Sequence, residues 1–246
     1  MKRPTGLATL GMVAIVAALV VGVKLSGASL RPDPTATPAP PMRLGEGLRD
    51  SAYRAALASA FANGWANFGV RVAVVPQFAV AVHDETWVAG VALAVAAAGT
   101  ASSLQFSGRV ADTVGRKPMV VLGLAVTSVT LGLMGFSESL LVLLVLSAVS
   151  GFGAGMVNPG QQATVADVIG NQRSGGTVLS TFQMAQDGGA ILGPVLIGLV
   201  ADRWGFEAAF VVTGFVSLAA LLPWLVARET LQKESPEQPA DGPATR

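Results

Sequence analysis

Ten residues decide most of what this chain can become. Gly108 to Lys117 read GRVADTVGRK and stand between two long apolar runs. Charge at that density is costly in hydrocarbon, so the decapeptide must be a short loop at a membrane surface. Composition agrees. The chain is 52% hydrophobic and 13% charged, about half the charged share of an ordinary soluble domain. Its net charge of +1 offers no broad basic face to nucleic acid. There is no cysteine, hence no disulfide framework or thiolate metal site, and the lone histidine, His83, excludes motifs that need two. The expected class is all-α, a polytopic membrane helix bundle.

A membrane-crossing helix needs about 20 mostly apolar residues. Seven segments qualify: 7–26, 54–82, 87–107, 118–136, 139–168, 177–201 and 207–227. Short polar punctuation separates most of them, such as His83-Asp84-Glu85 and Ser137-Glu138-Ser139. Four parts are therefore expected. Residues 1–26 hold a first span, 27–53 a proline-rich linker (RPDPTATPAPP and an arginine-bearing run), 54–227 six spans, and 228–246 a polar tail without fixed structure.

Lysine and arginine set orientation. With seven spans, Arg31, Arg43, Arg49, Arg54, Arg109, Arg116, Lys117, Arg173, Arg228 and Lys233 fall on one side, assigned to the cytoplasm. Lys2 and Arg3 conflict with this, because they would then be external. A signal anchor at 7–26 with Lys2 and Arg3 as its basic flank is the alternative, but it would put nearly all the arginines outside. An internal repeat supports the same span picture. Gly108-Arg-Val-Ala-Asp112-Thr-Val-Gly115 parallels Gly198-Leu-Val-Ala-Asp202-Arg-Trp-Gly205. Both follow the end of a span, and three spans separate them, so they lie on opposite membrane faces. That is the mark of an inverted 3+3 repeat.

The loop resembles the signature Gly-x-x-x-Asp-(Arg/Lys)-x-Gly-(Arg/Lys)-(Arg/Lys) of the major facilitator superfamily. Gly108, Asp112, Gly115, Arg116 and Lys117 match, and Thr113 departs. Gly151-Phe-Gly-Ala-Gly155 with Asn158-Pro159 looks like the family's fourth or tenth helix. Gly189-x-x-x-Gly193-Pro194-x-x-x-Gly198 is similar to its glycine-proline signature, with Ile197 replacing the usual second glycine of the final pair. The resemblance covers about residues 53–230. It implies helix 6, a central cytoplasmic loop, and helices 7 to 12 of a twelve-helix transporter. It further implies a multi-pass protein of the cell (plasma or inner) membrane with a cytoplasmic C-terminus, moving a small molecule by alternating access. By likeness to drug–proton antiporters, that activity is proton-coupled efflux. The alternative is a non-transporting membrane protein, or a partner for a separate N-terminal half. Implied partners are the bilayer, a small-molecule substrate, protons, and a second half or a second copy.

Within this frame, Arg116 is expected to pair with Asp167 as a conformational latch, and Asp112 to accept from helix N-terminal amides. Arg71 lies deep in one span and Asp187 in another, and buried charge defaults to function. They are candidates for a neutralising pair in substrate or proton coupling, although span counting separates them by roughly 9 Å in height. Asn63, Asn67, Asn158, Gln162 and Gln183 are candidate cavity amides, with interhelical bonding as the bland alternative. Gly151, Gly155, Gly189, Gly193, Pro194 and Gly198 are expected to serve helix packing or gating. Trp87, Trp204 and Trp224 read as interfacial anchors. No catalytic constellation appears, and no metal or cofactor is expected.

Overall fold

The computed structural model describes residues 40–83, 85–170 and 173–231. The first expected span, at 7–26, and the tail beyond Leu231 lie outside them. The described residues form a helical bundle. A short helix α1 (Leu44–Arg49) leads into α2 (Ser51–His83), followed by α3 (Thr86–Thr113), α4 (Arg116–Met134) and α5 (Leu140–Ile169). The chain then runs through α6 (Gly176–Ala219) into a final turn, α7 (Leu221–Val226). Among the described residues, five continuous helical stretches are long and apolar enough to cross a membrane.

The last of these stretches crosses twice. Residues Gly176–Val226 number 51, a rod of about 76 Å if straight, against a hydrocarbon core of about 30 Å. Gly205 divides it, with φ 84° and ψ 169°. That φ lies in the left-handed region, where only glycine is free of a Cβ penalty. The contacts show the chain folding back there. The arm 176–204 runs alongside α2, with Tyr53 Oη donating to Val178 O at 2.7 Å near one end. Further along, Gly69 meets Pro194, where an added Cβ would lie 2.8 Å from the proline Cδ. The arm after Gly205 returns along α4, from Gly135 beside Glu207 to Gly214 beside Gly132. The described chain therefore makes six passes.

Gly115, with φ 127°, breaks the chain between α3 and α4 in the same way. Gly115 and Gly205 are the final residues of the two repeated octamers. The sequence repeat thus encodes one backbone device used at opposite ends of the bundle: a helix, a left-handed glycine, and a helix running back.

Close backbone approach holds the passes together. A Cβ on Gly151 would run into the Ala96 carbonyl, and one on Gly189 into the Phe61 carbonyl. On Gly155 it would sit 2.6 Å from Thr100 O, and on Gly193 it would sit 2.9 Å from Trp65 O. Lipid tails are as apolar as leucine, so helix association in a bilayer depends on such packing rather than on solvent exclusion. Gly198 differs from this expectation: it has open space around it. Two apolar clusters fill the interior. Phe78 packs between Phe206 and Phe210, at centroid distances of 5.5 and 5.2 Å, at one end. Tyr53, Phe182 and Trp224 lie at the other.

Two further sequence expectations change here. The linker's last residues are not extended: 44–49 are helical, and Met42 N donates to Ser174 O at 2.8 Å. Trp224 is not an interfacial anchor, because it is 0% exposed and packed in the core. Trp87 and Trp204 are exposed, at 53% and 69%. Pro76, Pro159 and Pro194 all lie inside continuous helix.

The glycine contacts generate a paired prediction. Gly189→Ala forces a Cβ against backbone and costs about 1–3 kcal/mol, which lowers the melting midpoint in detergent by several degrees. Gly198→Ala meets nothing and is neutral, or stabilising by up to about 1 kcal/mol. Equal effects from the two substitutions would refute the packing role.

Candidate functional site

Two groups of polar residues stand out, one at an end of the bundle and one at mid-depth. The first surrounds residues 108–117, here termed the signature end. They are not the ten-residue loop expected from sequence, because α3 runs on to Thr113 and α4 starts at Arg116, leaving only Val114 and Gly115 outside helix. Arg116 opens α4, directly after the left-handed Gly115. Its guanidinium pairs with Asp112 one turn back on α3, and its Nε donates to Asp167 Oδ2 on α5 at 3.2 Å. It also donates to Ala111 O at 2.8 Å. The Arg116–Asp167 pair expected from sequence is therefore formed.

The amides at the start of α4 go elsewhere than expected. Asp112 accepts from the Arg116 side chain rather than from helix amides. Glu229 takes the amides instead, with Oε1 accepting from Arg116 N at 3.0 Å and Oε2 from Lys117 N at 3.1 Å. A carboxylate is favoured there, because the first amides of a helix have no partner within it and carry partial positive charge. Lys117 answers at the opposite polarity. Its Nζ donates to Leu225 O at 3.0 Å and to Ala227 O at 2.8 Å, carbonyls at the end of α7.

The segment after α7 straps this end. Arg228 Nε donates to both oxygens of Asp50 at 3.1 Å. Thr230 Oγ1 donates to Asp167 Oδ2 at 2.9 Å. Arg173 donates to Glu46 at 2.8 Å and to Pro40 O at 3.2 Å. Sequence reasoning missed Glu229, Thr230, Arg228 and Asp50. The available signal was an Arg-Glu-Thr run immediately after the last apolar run, which the reading of 228–246 as a uniform polar tail absorbed.

The second group lies between α2 and α5. Asn63, Asn67 and Arg71 recur every four residues on α2, so they share one face. Asn67 Nδ2 donates to Asn63 Oδ1 at 2.7 Å, and Asn63 Nδ2 donates to Asn158 Oδ1 at 3.0 Å. Gln161 Nε2 donates to the same Asn158 oxygen at 3.2 Å, and Arg71 Nη2 donates to Ser150 Oγ at 3.0 Å. A π-helical stretch, Gly64–Val70, lies within this row. It lets Gly64 and Gly69 face the arm 176–204 while the amides face α5. Wide turns of this kind inside a helix are frequent at functional sites.

Four candidates fall outside this seam. Asp187 does not pair with Arg71: among the described residues, the four ion pairs all lie at the signature end. Asp187 and Gln183 are exposed, one turn apart on α6, and Gln162 is exposed on α5. Gly108 lies in the last turns of α3 with open space around it. Gln161 and Ser150 also belong to the seam.

These features define a multi-pass membrane bundle whose two ends are built from one repeated loop device. The Major Facilitator Superfamily model matches residues 55–245, and the chain belongs to that family. It is 33% identical over 152 residues to the multi-drug resistance efflux pump PmrA of Streptococcus pneumoniae serotype 4, covering 61% of this chain and 37% of that protein. It is 32% identical over 144 residues to the multidrug resistance protein MdtG of Dickeya zeae, covering 58% and 35%. The chain thus spans little more than a third of the length of these curated relatives. The crystal structure of the POT family transporter PepTSo superposes with a TM-score of 0.66 at 14% identity, over 81% of this chain and 41% of that one. Likeness at that identity establishes the fold.

The carboxylates of the strap generate a pH prediction. Burial pushes the Asp50 carboxyl up, but hydrogen bonds from Arg228 and from Ala52 N–H bring it below its ordinary 3.8. Burial also pushes Glu229 up, and the amides of Leu231, Arg116, Lys117 and Thr230 bring it below 4.5. Both folded values are depressed, so the stability they contribute is present above the ordinary carboxylate values and is lost as pH falls below them. After correction for intrinsic rates, hydrogen exchange at the Arg116 and Lys117 amides accelerates as pH drops below 4.5. Glu229→Gln removes that dependence. Exchange that tracks the intrinsic rate throughout would show that Glu229 does not hold these amides in solution.

Proposed function

We propose that this chain supplies one six-helix half of a secondary transporter that exports a small molecule by alternating access, coupled to protons. It resides in the cell membrane, with the signature end and the C-terminus facing the cytoplasm. The observation that carries the reading is the seam in which buried Asn63, Arg71, Ser150 and Gln161 meet half-buried Asn67 and Asn158. Amides and a guanidinium are expensive at bilayer depth and cluster where a substrate path runs. In transporters of repeated architecture, such sites lie near the midplane. The printed names of two relatives, an efflux pump and a multidrug resistance protein, support export.

The roles divide by position. Arg116, Asp112, Asp167 and Lys117 hold the signature end in one arrangement of the cycle, with the left-handed Gly115 setting the turn between α3 and α4. The exposed Gln162, Gln183 and Asp187 face a second six-helix half, supplied by further residues of the same protein, by another chain or by a second copy. Asp187, a carboxylate with no partner among the described residues, is the proton-coupling group. Catalysis forms no part of this reading.

The test uses everted membrane vesicles holding the protein and a panel of anionic, neutral and cationic aromatic compounds. Export that depends on an imposed proton gradient is the expected result, and Asp187→Asn abolishes the gradient-dependent part. Transport that ignores the gradient in both forms would remove protons, and Asp187, from the cycle. No movement of any compound would leave the non-transporting alternative standing.

A further inference from the structure

Arg71 carries a charge that the described bundle does not balance. Its side chain is buried, at 8% exposure. Nη2 is used by Ser150, while Nε has no partner. Arg71 lies 12 residues from the end of α2 at His83, about 18 Å. Ser150 lies 10 residues from the start of α5 at Leu140, about 15 Å. The group is therefore well below the membrane surface. Ser147, one turn from Ser150 on α5, leaves a second buried polar atom, Oγ, without a partner. The described carboxylates on helices packed against α2 lie at the bundle ends, apart from Asp187, which is exposed and makes no ion pair. A buried charge left in this state is costly, and an anion that accepts from it removes the cost.

We propose that Arg71, with Ser147 and Ser150 of α5, forms a receptor for one carboxylate-class anion. The Nε–H of Arg71 and the hydroxyl of Ser147 are the donors free to meet it, and an acidic oxygen pair is the ligand chemistry that takes both. This deepens the transporter reading and rests on it where the anion is a transported molecule. The same chemistry can also come from a carboxylate of a second six-helix half packed against this one.

The experiment measures the melting midpoint of the purified full chain in detergent by intrinsic fluorescence, with benzoate and with benzamide, its uncharged counterpart of the same shape. Benzoate is expected to raise the midpoint by several degrees at saturation and benzamide to leave it unchanged. Arg71→Gln loses the rise and Arg71→Lys keeps part of it. If neither compound acts on the wild type but Arg71→Gln lowers the midpoint and Arg71→Lys does not, the carboxylate comes from a second half or copy held against this one. The proposal is overturned if the two compounds act alike and Arg71→Gln melts at or above the wild type. Gradient-driven export of neutral or cationic compounds alongside that last result would overturn the anion receptor and leave the transporter reading intact.

Discussion

Everything in this bundle depends on how closely its helices approach. In lipid there is no solvent exclusion to draw apolar helices together, so packing and interhelical hydrogen bonds must do so. Glycines meet that requirement by letting one backbone touch another. Gly151 and Gly155 seat α5 on α3, and Gly189 and Gly193 seat α6 on α2. Hydroxyls then reach across the gap, as Ser107 Oγ does to Gly155 O at 2.8 Å and Thr100 Oγ1 to Gly151 O at 3.0 Å. The polar seam is a consequence of the same closeness. Asn63 can donate to Asn158 across two helices only because α2 and α5 run near enough for short amide side chains to meet.

The signature end follows a second rule, that helix termini must find partners. Helix ends converge there, and several charged residues answer a terminus or another charge. Glu229 takes the first amides of α4, Lys117 takes the last carbonyls of α7, and Arg116 bridges α3 and α5. Exposed ion pairs contribute little singly, about 0–1 kcal/mol each. Their value lies in being shared. Asp167 receives both Arg116 and Thr230, and Arg116 holds both Asp112 and Asp167, so displacing one group disturbs several contacts together.

What the sequence disclosed follows from the range of each interaction. Hydrophobic runs and loop charges are local, and they delimited the passes and placed Arg116 opposite Asp167. The glycine pairs were legible because close packing repeats every four residues along one helix. Gly198 fits the same spacing yet packs on nothing, because a periodic pattern identifies a face and not what lies opposite it. Arg71 and Asp187 were paired on charge alone, while rotation about each helix axis sends one into a seam and the other outward. Glu229 was missed because its partners lie 112 and 113 residues earlier. Such a contact carries no spacing signal in a single sequence.

The repeat also shows where symmetry stops. Gly115 and Gly205 give both ends the same left-handed turn between antiparallel helices. At the signature end the helix that follows begins on amides bound by Glu229, and the four ion pairs of the described residues are all gathered there. At the other end, the helix after Gly205 begins with Phe206 and Glu207. A cleft of about 520 Å³ opens there, bordered by Glu138, Phe136 and Trp204. The same octamer therefore sits in a tied end and an open one. The difference resides in the residues after α7 and in the basic pair Arg116-Lys117, which the second copy replaces with Phe206-Glu207. An inverted pair of loops can fold identically and still bias a bundle toward closure at one face, because backbone geometry is duplicated while charge is not.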